Sequence, residues 1–217
     1  LSKRGLSSLD AVGAGEIVRQ SCIPIYGRMI HALDGQLTYQ PYGNNREALQ
    51  AIERNRLNKV LLDFAVQHEN ISIHFNEKCV DIDFPTATLT LINTASGEAR
   101  QAQHGRIFGA DGAYSVIRQT MQKGKFFSYS QQHLDYVYKE IIIPVSLDGK
   151  CDLDQNVFHI WPRNHLMLSG FPDLDGGFGL TLQLLYEGDI SHRSLKSKAD
   201  LQQLFKRFFP DVLSLVE

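Results

Sequence analysis

The 217-residue sequence predicts an α/β (α+β) protein made of two regions, a mixed region at 1–122 and an antiparallel sheet with a covering helix at 123–217. Helical periodicity alternates with short strand-like runs in the first region. Four strand-like runs joined by Pro, Gly and Asp turns follow in the second region, and then an amphipathic helix. No flexible linker separates the two regions.

Helices in the first region are predicted at two places. Residues 5–22 favour one short helix or two, because Gly13 and Gly15 interrupt the apolar spacing. Residues 46–69 favour a longer amphipathic helix, with apolar residues at helical spacing and charged residues on the other face.

A β-hairpin is predicted between these helices. Residues 25–32 and 36–42 are strand-like, and Asp34-Gly35 between them is a strong hairpin signal. A loop centred at residue 35 would place residue 28 opposite residue 42, with both side chains on one face.

Further strands and helices are predicted along the rest of the chain. Strands are expected at 71–75, 79–83, 88–92, 107–110, 139–145, 156–161, 166–171 and 178–185. Helices are expected at 115–121, at 197–209 and after Pro210.

Composition restricts the classes of function. The chain is 43% hydrophobic and 21% charged, which is typical of a globular protein, and its net charge of −2 gives no electrostatic case for nucleic acid or a membrane surface. Its apolar stretches are shorter than the ~20 residues that cross a bilayer. The three scattered cysteines predict no disulfide framework and a reducing compartment, which is cytoplasmic if the protein is bacterial. The chain does not begin with Met, which suggests a segment of a longer protein.

No residue pattern indicates a metal site. His31, His74 and His159 each lie in a strand-like run without a cluster of cysteines or carboxylates, so structural roles are expected for them. No side chain in this sequence is predicted to act as a catalytic acid or base.

The sharpest local motif is the segment 109–118, with the sequence GADGAYSVIR. A strand is predicted to end in Asp111 and Gly112, and a helix to start near Ser115. Gly112 permits a positive φ and a close backbone approach. Ser115 can cap the helix, whose N-terminus favours anionic groups. Spacing alone also fits any tight strand-to-helix turn.

This motif resembles the Asp-Gly fingerprint of flavoprotein aromatic hydroxylases. Further segments resemble the kynurenine 3-monooxygenase family within that class; they are LSKRG at 1–5, GRMIH at 27–31, PYG at 41–43, RLNK at 56–59, HFN at 74–76, YSQQ at 129–132 and HIWPRN at 159–164. The resemblance implies a partial FAD-binding Rossmann-like domain at 1–122, which includes a substrate-binding hairpin near 25–42. It implies a substrate-domain sheet at 123–217.

The resemblance also implies what the sequence lacks. Family members begin with a βαβ unit that carries a Gly-x-Gly-x-x-Gly phosphate-binding turn, and neither this unit nor the later Gly-Asp-Ala-Ala-His segment is in this sequence. The expected activity is FAD- and NADPH-dependent hydroxylation of L-kynurenine to 3-hydroxykynurenine by O2, with the isolated 217 residues inactive.

Site residues are carried over from the family position by position. The FAD contacts implied are Arg54, Cys79 and, in the Asp-Gly motif, Asp111, Gly112, Ser115 and Val116. Arg28 and Tyr42 match the residues that bind the substrate carboxylate. Arg54 is equally typical of a solvated helix residue, and Cys79 of a small core residue.

The aromatic ring of the substrate is expected on the sheet of the second region. The candidates are Phe158, Ile160, Leu168 and Phe171, although each of them is also typical of plain core. Ser169 and Gln183 stand where apolar residues are usual in the family.

Two alternatives stay open. The protein could be a related flavin monooxygenase for another carboxylated aromatic, as Ser169 and Gln183 suggest. It could also be a non-enzymatic ligand-binding domain, which the coding sequence upstream of Leu1 would distinguish.

Overall fold

A computed structural model describes residues 1–44, 47–124, 127–143 and 153–216. The chain divides into two compact units, Leu1–His68 with Leu134–Glu217, and Glu69–His133. These units differ from the predicted division at residue 122, because the hairpin at 25–42 shares a sheet with strands from the second half of the chain.

Helices of the first unit begin and end close to the predicted places, with one difference. The N-terminal segment forms α1 (Lys3–Ala11) and α2 (Gly15–Arg19), separated at Gly13, whose φ is +78°. The predicted helix at 46–69 is wrong in its first part, because Leu49–Ala51 pairs with Ile23–Ile25 as a two-stranded sheet. Helix α3 therefore runs only from Arg54 to Ala65.

Eleven strands are found among the described residues. They are β1 (Ile23–Ile25), β2 (Gly27–His31), β3 (Leu37–Pro41), β4 (Leu49–Ala51), β5 (Glu77–Asp83), β6 (Thr88–Asn93), β7 (Ala99–Gln103), β8 (Tyr136–Ile143), β9 (Val157–Arg163), β10 (Leu166–Pro172) and β11 (Phe178–Leu185). The four strands predicted in the second half are confirmed, except that positions 144 and 145 lie outside the described residues.

A six-stranded sheet in the order β3-β2-β9-β10-β11-β8 forms the centre of the first unit. All its neighbouring strands are antiparallel except β2 and β9, which are parallel. The sequence predicted the hairpin and the four later strands, but it did not predict that β2 would pair with β9.

The hairpin closes with a different register from the predicted one. Ala32 pairs with Gln36 through a backbone hydrogen bond of 2.9 Å, and the loop between them contains Gly35 with φ +85°. The loop is thus centred at residue 34. Arg28 lies opposite Gln40, so the prediction that it lies opposite Tyr42 is wrong by two residues. A shift of two keeps side chains on the same face, whereas a shift of one would not.

Burial alternates along the sheet strands. On β9, β10 and β11 nearly every second residue is buried, and these residues form the core with helices α5 (Lys198–Phe208) and α6 (Pro210–Val216). Both helices confirm the prediction. Ser197 and Asp200 form a capping box at the start of α5, which satisfies backbone N–H groups there. The sheet therefore has a helix-covered face and a second face.

A polar cluster lies in the helix-covered face. The Arg163 side chain, only 3% exposed, donates to the carbonyl oxygens of His31 (2.8 Å) and Phe208 (2.7 Å) and lies 3.8 Å from the Asp211 carboxylate. The Trp161 indole N–H donates to the same carboxylate at 2.8 Å. These bonds connect the sheet to the start of α6.

The second unit is a three-stranded antiparallel sheet in the order β5-β6-β7, with α4 (Val116–Gln122) against β5. Two predicted strands are wrong: 71–75 and 107–110 form no strand, and the Phe108 side chain is 83% exposed. A strand needs a neighbour for its backbone N–H and C=O groups, and no described strand lies beside either segment.

No helix in the described ranges is both long and apolar enough to cross a membrane.

Candidate functional site

The second face of the six-stranded sheet carries most of the predicted substrate residues. Arg28 on β2 is paired with Phe158 on β9, and Phe158 lies beside Phe171 on β10. The two phenyl rings are stacked with centroids 4.0 Å apart and an interplanar angle of 15°. Arg28 is exposed and Phe171 is 39% exposed. A cationic group and an aromatic surface thus lie side by side.

Tyr42 follows the end of β3 and lies two residues beyond Gln40, the cross-strand partner of Arg28. The Arg28 Nε–H donates to the Gln40 Oε1 at 2.7 Å, and Gln40 precedes Tyr42 by two residues. Burial raises the pKa of the Tyr42 phenol, while the positive charge of Arg28 lowers it. The phenol and the guanidinium are therefore within electrostatic reach of each other, although they are diagonal and not opposite.

A second row of residues crosses the same face one step further along. Ile160 on β9 is paired with Ser169 on β10, and Ser169 with Thr181 on β11. Gln183 lies two residues beyond Thr181 on the same face. Leu168, by contrast, is completely buried in the helix-covered face, so it cannot contribute to a site on the second face.

Two cavities border this region. One, of about 270 Å³, extends from Phe171 and the β10–β11 turn to the start of α3, where Glu53 and Arg56 line it. The other, of about 510 Å³, is lined by Tyr42 and by the ion-paired Asp10 and Arg19. Tyr42 and Phe171 therefore line separate cavities.

The Asp-Gly motif lies in the second unit and is held by its own hydrogen bonds. The Asp111 carboxylate accepts hydrogen bonds from the Ser115 hydroxyl (2.5 Å) and the Ile117 N–H (3.3 Å). The first of these is the main reason that the pKa of Asp111 is lowered. Ser115 caps α4 as predicted, by accepting from the Arg118 N–H at 3.0 Å. Gly112 has φ +78°, with open space where a side chain would be.

The remaining cofactor candidates are spread over both units. Val116 is the first residue of α4, and Cys79 on β5 is half-buried. Burial raises the pKa of the Cys79 thiol, and the charge of Asp111 adds to this effect, so the two lie close together in the second unit. Arg54 is the exposed first residue of α3 in the first unit.

Gln40 and Thr181 are residues of the second face that the sequence analysis missed. Each is adjacent to a predicted residue across a strand pair, Gln40 to Arg28 and Thr181 to Ser169. Strand alternation could have indicated them, but only once the register of the hairpin and of β10–β11 was known.

The same fold occurs in solved flavoprotein structures. A tetrameric 2-methyl-3-hydroxypyridine-5-carboxylic acid oxygenase matches 98% of this chain with a TM-score of 0.73 and 19% identity, over 53% of its own length. A variant of Klebsiella pneumoniae HpxO complexed with FAD matches 98% of the chain with a TM-score of 0.71 and 16% identity, over 55% of its length. The chain thus has the fold of the FAD-dependent aromatic hydroxylases.

Sequence similarity to curated proteins indicates one family within this fold class. Kynurenine 3-monooxygenases of Flavobacterium johnsoniae and Myxococcus xanthus are 39% and 38% identical to the whole chain, and that of Dictyostelium discoideum is 34% identical. The chain is homologous over its whole length to kynurenine 3-monooxygenases, as the sequence resemblance predicted. It spans about half the length of the curated relatives it matches, between 46% and 48% for these three. No protein-family model matches the chain.

Proposed function

We propose that the protein containing this chain hydroxylates L-kynurenine to 3-hydroxykynurenine, with FAD as cofactor and NADPH and O2 as co-substrates. The proposal rests on the whole-length similarity to kynurenine 3-monooxygenases. It rests equally on one geometric observation, an exposed arginine beside a stacked pair of phenylalanines on the second face.

The chemistry of kynurenine matches these side chains. Its α-carboxylate requires a fixed cation, and the guanidinium of Arg28 offers two donors in one plane. The Tyr42 hydroxyl, which is within electrostatic reach of Arg28, would donate to the same carboxylate. Phe158, Phe171 and Ile160 offer an apolar surface for the aromatic ring. These residues would bind and orient the substrate.

The Asp-Gly motif fits a flavin cofactor in one respect. The backbone at Gly112 is open, because no atom lies within 4 Å of the position a Cβ would take, so a ligand can approach it closely. The Asp111 carboxylate holds the loop through Ser115 and the Ile117 N–H, which keeps that backbone in place. FAD, when bound, supplies the oxygen-transfer chemistry, and the protein supplies position and exclusion of water.

Both regions of the chain would contribute to the proposed activity. Residues 1–122 would contribute FAD contacts through Arg54, Cys79 and the motif with Ser115 and Val116, and the hairpin at 25–42 would hold the carboxylate. Residues 123–217 would provide the sheet under the ring. We also propose that the protein acts in the cytoplasm, where NADPH and free thiols such as Cys22 and Cys79 are maintained.

The test is expression of the complete reading frame that contains this chain. Purified protein should contain FAD and should oxidise NADPH in the presence of kynurenine, with 3-hydroxykynurenine as product. The Arg28→Ala variant should bind kynurenine more weakly by roughly 2–4 kcal/mol, because one partner of a charge pair is removed. Arg193→Ala, which removes an exposed arginine paired with Glu187, is the matched control and should bind normally.

Two results would contradict the proposal. If the Arg28→Ala variant bound kynurenine with unchanged affinity, Arg28 would not be the residue that binds the substrate carboxylate. Absence of FAD and of any turnover in the complete protein would instead favour the non-enzymatic ligand-binding alternative.

A second candidate function is hydroxylation of a different carboxylated aromatic. It is favoured by polar side chains, Ser169 and Gln183, on the face that would hold the ring. Turnover of a panel of aromatic acids by the complete protein distinguishes it from the first.

A further inference from the structure

Three polar side chains are grouped on the second face, beyond the phenylalanine pair as seen from Arg28. Ser169 on β10 and Thr181 on β11 are direct cross-strand partners, and Gln183 follows Thr181 on the same face. We call these residues the polar strip. Ser169 is only 7% exposed, although its neighbour on this face, Phe171, is 39% exposed. A hydroxyl is therefore kept in a sheltered position on the face that would hold a ring.

The hydrogen bonding of Ser169 determines which partner it can accept. Its hydroxyl donates to the Thr181 carbonyl oxygen at 3.5 Å, which is a long bond. With its hydrogen directed there, the oxygen still has lone pairs that can accept a hydrogen bond. The matching group on a ligand is then an N–H or O–H donor, and not a ketone oxygen.

The distance between Arg28 and Ser169 fits a ligand with two polar ends. Ser169 is two strands away from Arg28 and two residues along from Phe171, so strand spacing gives about 12 Å between the two Cα atoms. The Arg28 side chain is hydrogen-bonded to Gln40 on β3 and lies at one end of this distance, and the stacked rings of Phe158 and Phe171 lie between. An amino acid with an aromatic side chain can span the distance with a hydrogen bond of about 3 Å at each end.

We propose that Ser169 determines specificity by accepting a hydrogen bond from a donor on the ring of the substrate, with Thr181 and Gln183 completing the polar strip. This inference rests on the proposed function and deepens it. For kynurenine the donor is the ring amine, which is ortho to the ketone; if one of its N–H groups bonds to that ketone, the other is still free to donate to Ser169. Arg28 binds one end of the substrate, and the polar strip selects the other.

The test compares kynurenine with 2-amino-4-oxo-4-phenylbutanoate, which has the same carboxylate, amine and ketone but lacks the ring amine. Binding of each to the FAD-loaded complete protein is measured by calorimetry. The wild type should bind kynurenine about tenfold more tightly than the analogue, the range expected for one sheltered hydrogen bond. Ser169→Ala should bring this ratio close to one, by weakening kynurenine and leaving the analogue unchanged.

Two further variants make the result specific. Ser169→Thr retains a hydroxyl and should retain most of the preference, which a purely structural role would not predict. Arg28→Ala should weaken both compounds equally, because both carry the carboxylate. The role of Ser169 would be overturned if Ser169→Ala kept the wild-type ratio of the affinities for kynurenine and the analogue. The proposed function would remain intact in that case, provided that the wild type binds both compounds and Arg28→Ala weakens the binding of both. Failure of the wild type to bind either compound would overturn both.

Discussion

The rings of His31 and His159 are joined by a hydrogen bond of 2.9 Å between Nε2 of the first and Nδ1 of the second. The His159 Nε2 lies 3.0 Å from the Asp154 carbonyl oxygen, and since that oxygen can only accept, Nε2 carries the proton. Burial lowers the pKa of both rings, which favours their neutral forms, and in a neutral His159 ring the Nδ1 accepts from the Nε2–H of His31. The pair lies across the parallel strands β2 and β9.

Acid should therefore destabilise the chain over a defined pH range. Burial, with a contribution from His159, lowers the pKa of His31 to about 4, while the ordinary value is 6.5. Burial also lowers the pKa of His159. The unfolded chain binds protons first as the pH falls, so the contribution of this pair to the free energy of unfolding should be constant well above pH 6.5 and should fall between pH 6.5 and about 4.

The measurement is the thermal midpoint of the 217-residue chain at several pH values across this range. The charged groups that act on the pair are Arg163, Asp211 and Asp154. His31→Gln can still donate to His159 but does not titrate, so its midpoint should depend less steeply on pH. His192→Gln, at an exposed position, is the control. A His31→Gln variant as pH-sensitive as the wild type would contradict this account.

Loss of Arg163 should be among the costliest single changes in the chain. Its removal in Arg163→Ala leaves the carbonyl oxygens of His31 and Phe208 without their donor inside the core. We expect a loss of roughly 2–4 kcal/mol in the free energy of unfolding, measured by chemical denaturation, because each buried acceptor left without a donor costs about 1–3 kcal/mol. Arg193→Ala breaks an exposed ion pair with Glu187 and should cost less than about 1 kcal/mol. If Arg163→Ala and Arg193→Ala lowered the free energy of unfolding equally, burial would not be the reason that Arg163 stabilises the chain.

Two substitutions of Asp211 distinguish the effect of its ion pair with Arg163 from that of its hydrogen bond with Trp161. In Asp211→Asn an amide oxygen can still accept from the Trp161 indole N–H, while the ion pair with Arg163 is lost. In Asp211→Ala both interactions are lost. We expect the alanine variant to be destabilised more, by about 1–3 kcal/mol relative to the asparagine variant, because the buried indole N–H then has no partner. Denaturation of both variants side by side tests the order.

Gly27, which precedes Arg28, should not tolerate a larger residue. A Cβ there would lie 2.6 Å from the Gln40 carbonyl oxygen and 2.7 Å from the Tyr39 ring. Gly27→Ala should therefore destabilise the chain by about 1–3 kcal/mol, as overpacking does. Gly179→Ala is the matched control on the same sheet, since nothing lies within 4 Å of its Cβ position. Thermal midpoints of the two variants give the comparison, and similar midpoints would argue against tight packing at Gly27.

The 217-residue chain by itself should bind FAD weakly. The Asp-Gly motif is held in place by Asp111 and Ser115, but the sequence has no Gly-x-Gly-x-x-Gly turn to hold the pyrophosphate. Flavin absorbance in the purified chain, with the complete protein as the positive control, measures this. A stoichiometric flavin in the chain alone would be incompatible with the prediction.

Local sequence signals predicted the elements that depend on nearby residues. The Asp34-Gly35 hairpin, the α1–α2 break at Gly13, the Ser115 cap and helices α5 and α6 all depend on positions a few residues apart, so each could be identified from the sequence. The predicted strands at 71–75 and 107–110 have strand-like composition but no described partner strand, and composition alone cannot provide one.

The residue types proposed for the site came from the family resemblance, in which an arginine, a tyrosine and apolar residues imply a carboxylated aromatic ligand. Their arrangement did not come from it. Leu168 and Phe171 are both apolar and only three residues apart, yet one lies in the core and the other is partly exposed. Only the pairing of β9, β10 and β11 decides which face each occupies.

The sequence by itself thus determined the position of the hairpin turn and most of the helices, because these depend on short-range patterns. It also determined the family resemblance, because the matching segments can be identified without the fold. Tertiary structure decided that β2 joins β9, that Arg28 lies opposite Gln40 and beside Phe158, and that the rings of His31 and His159 form a hydrogen bond. These relationships connect residues up to 130 positions apart, and they form only when the strands pair and the helices cover one face of the sheet.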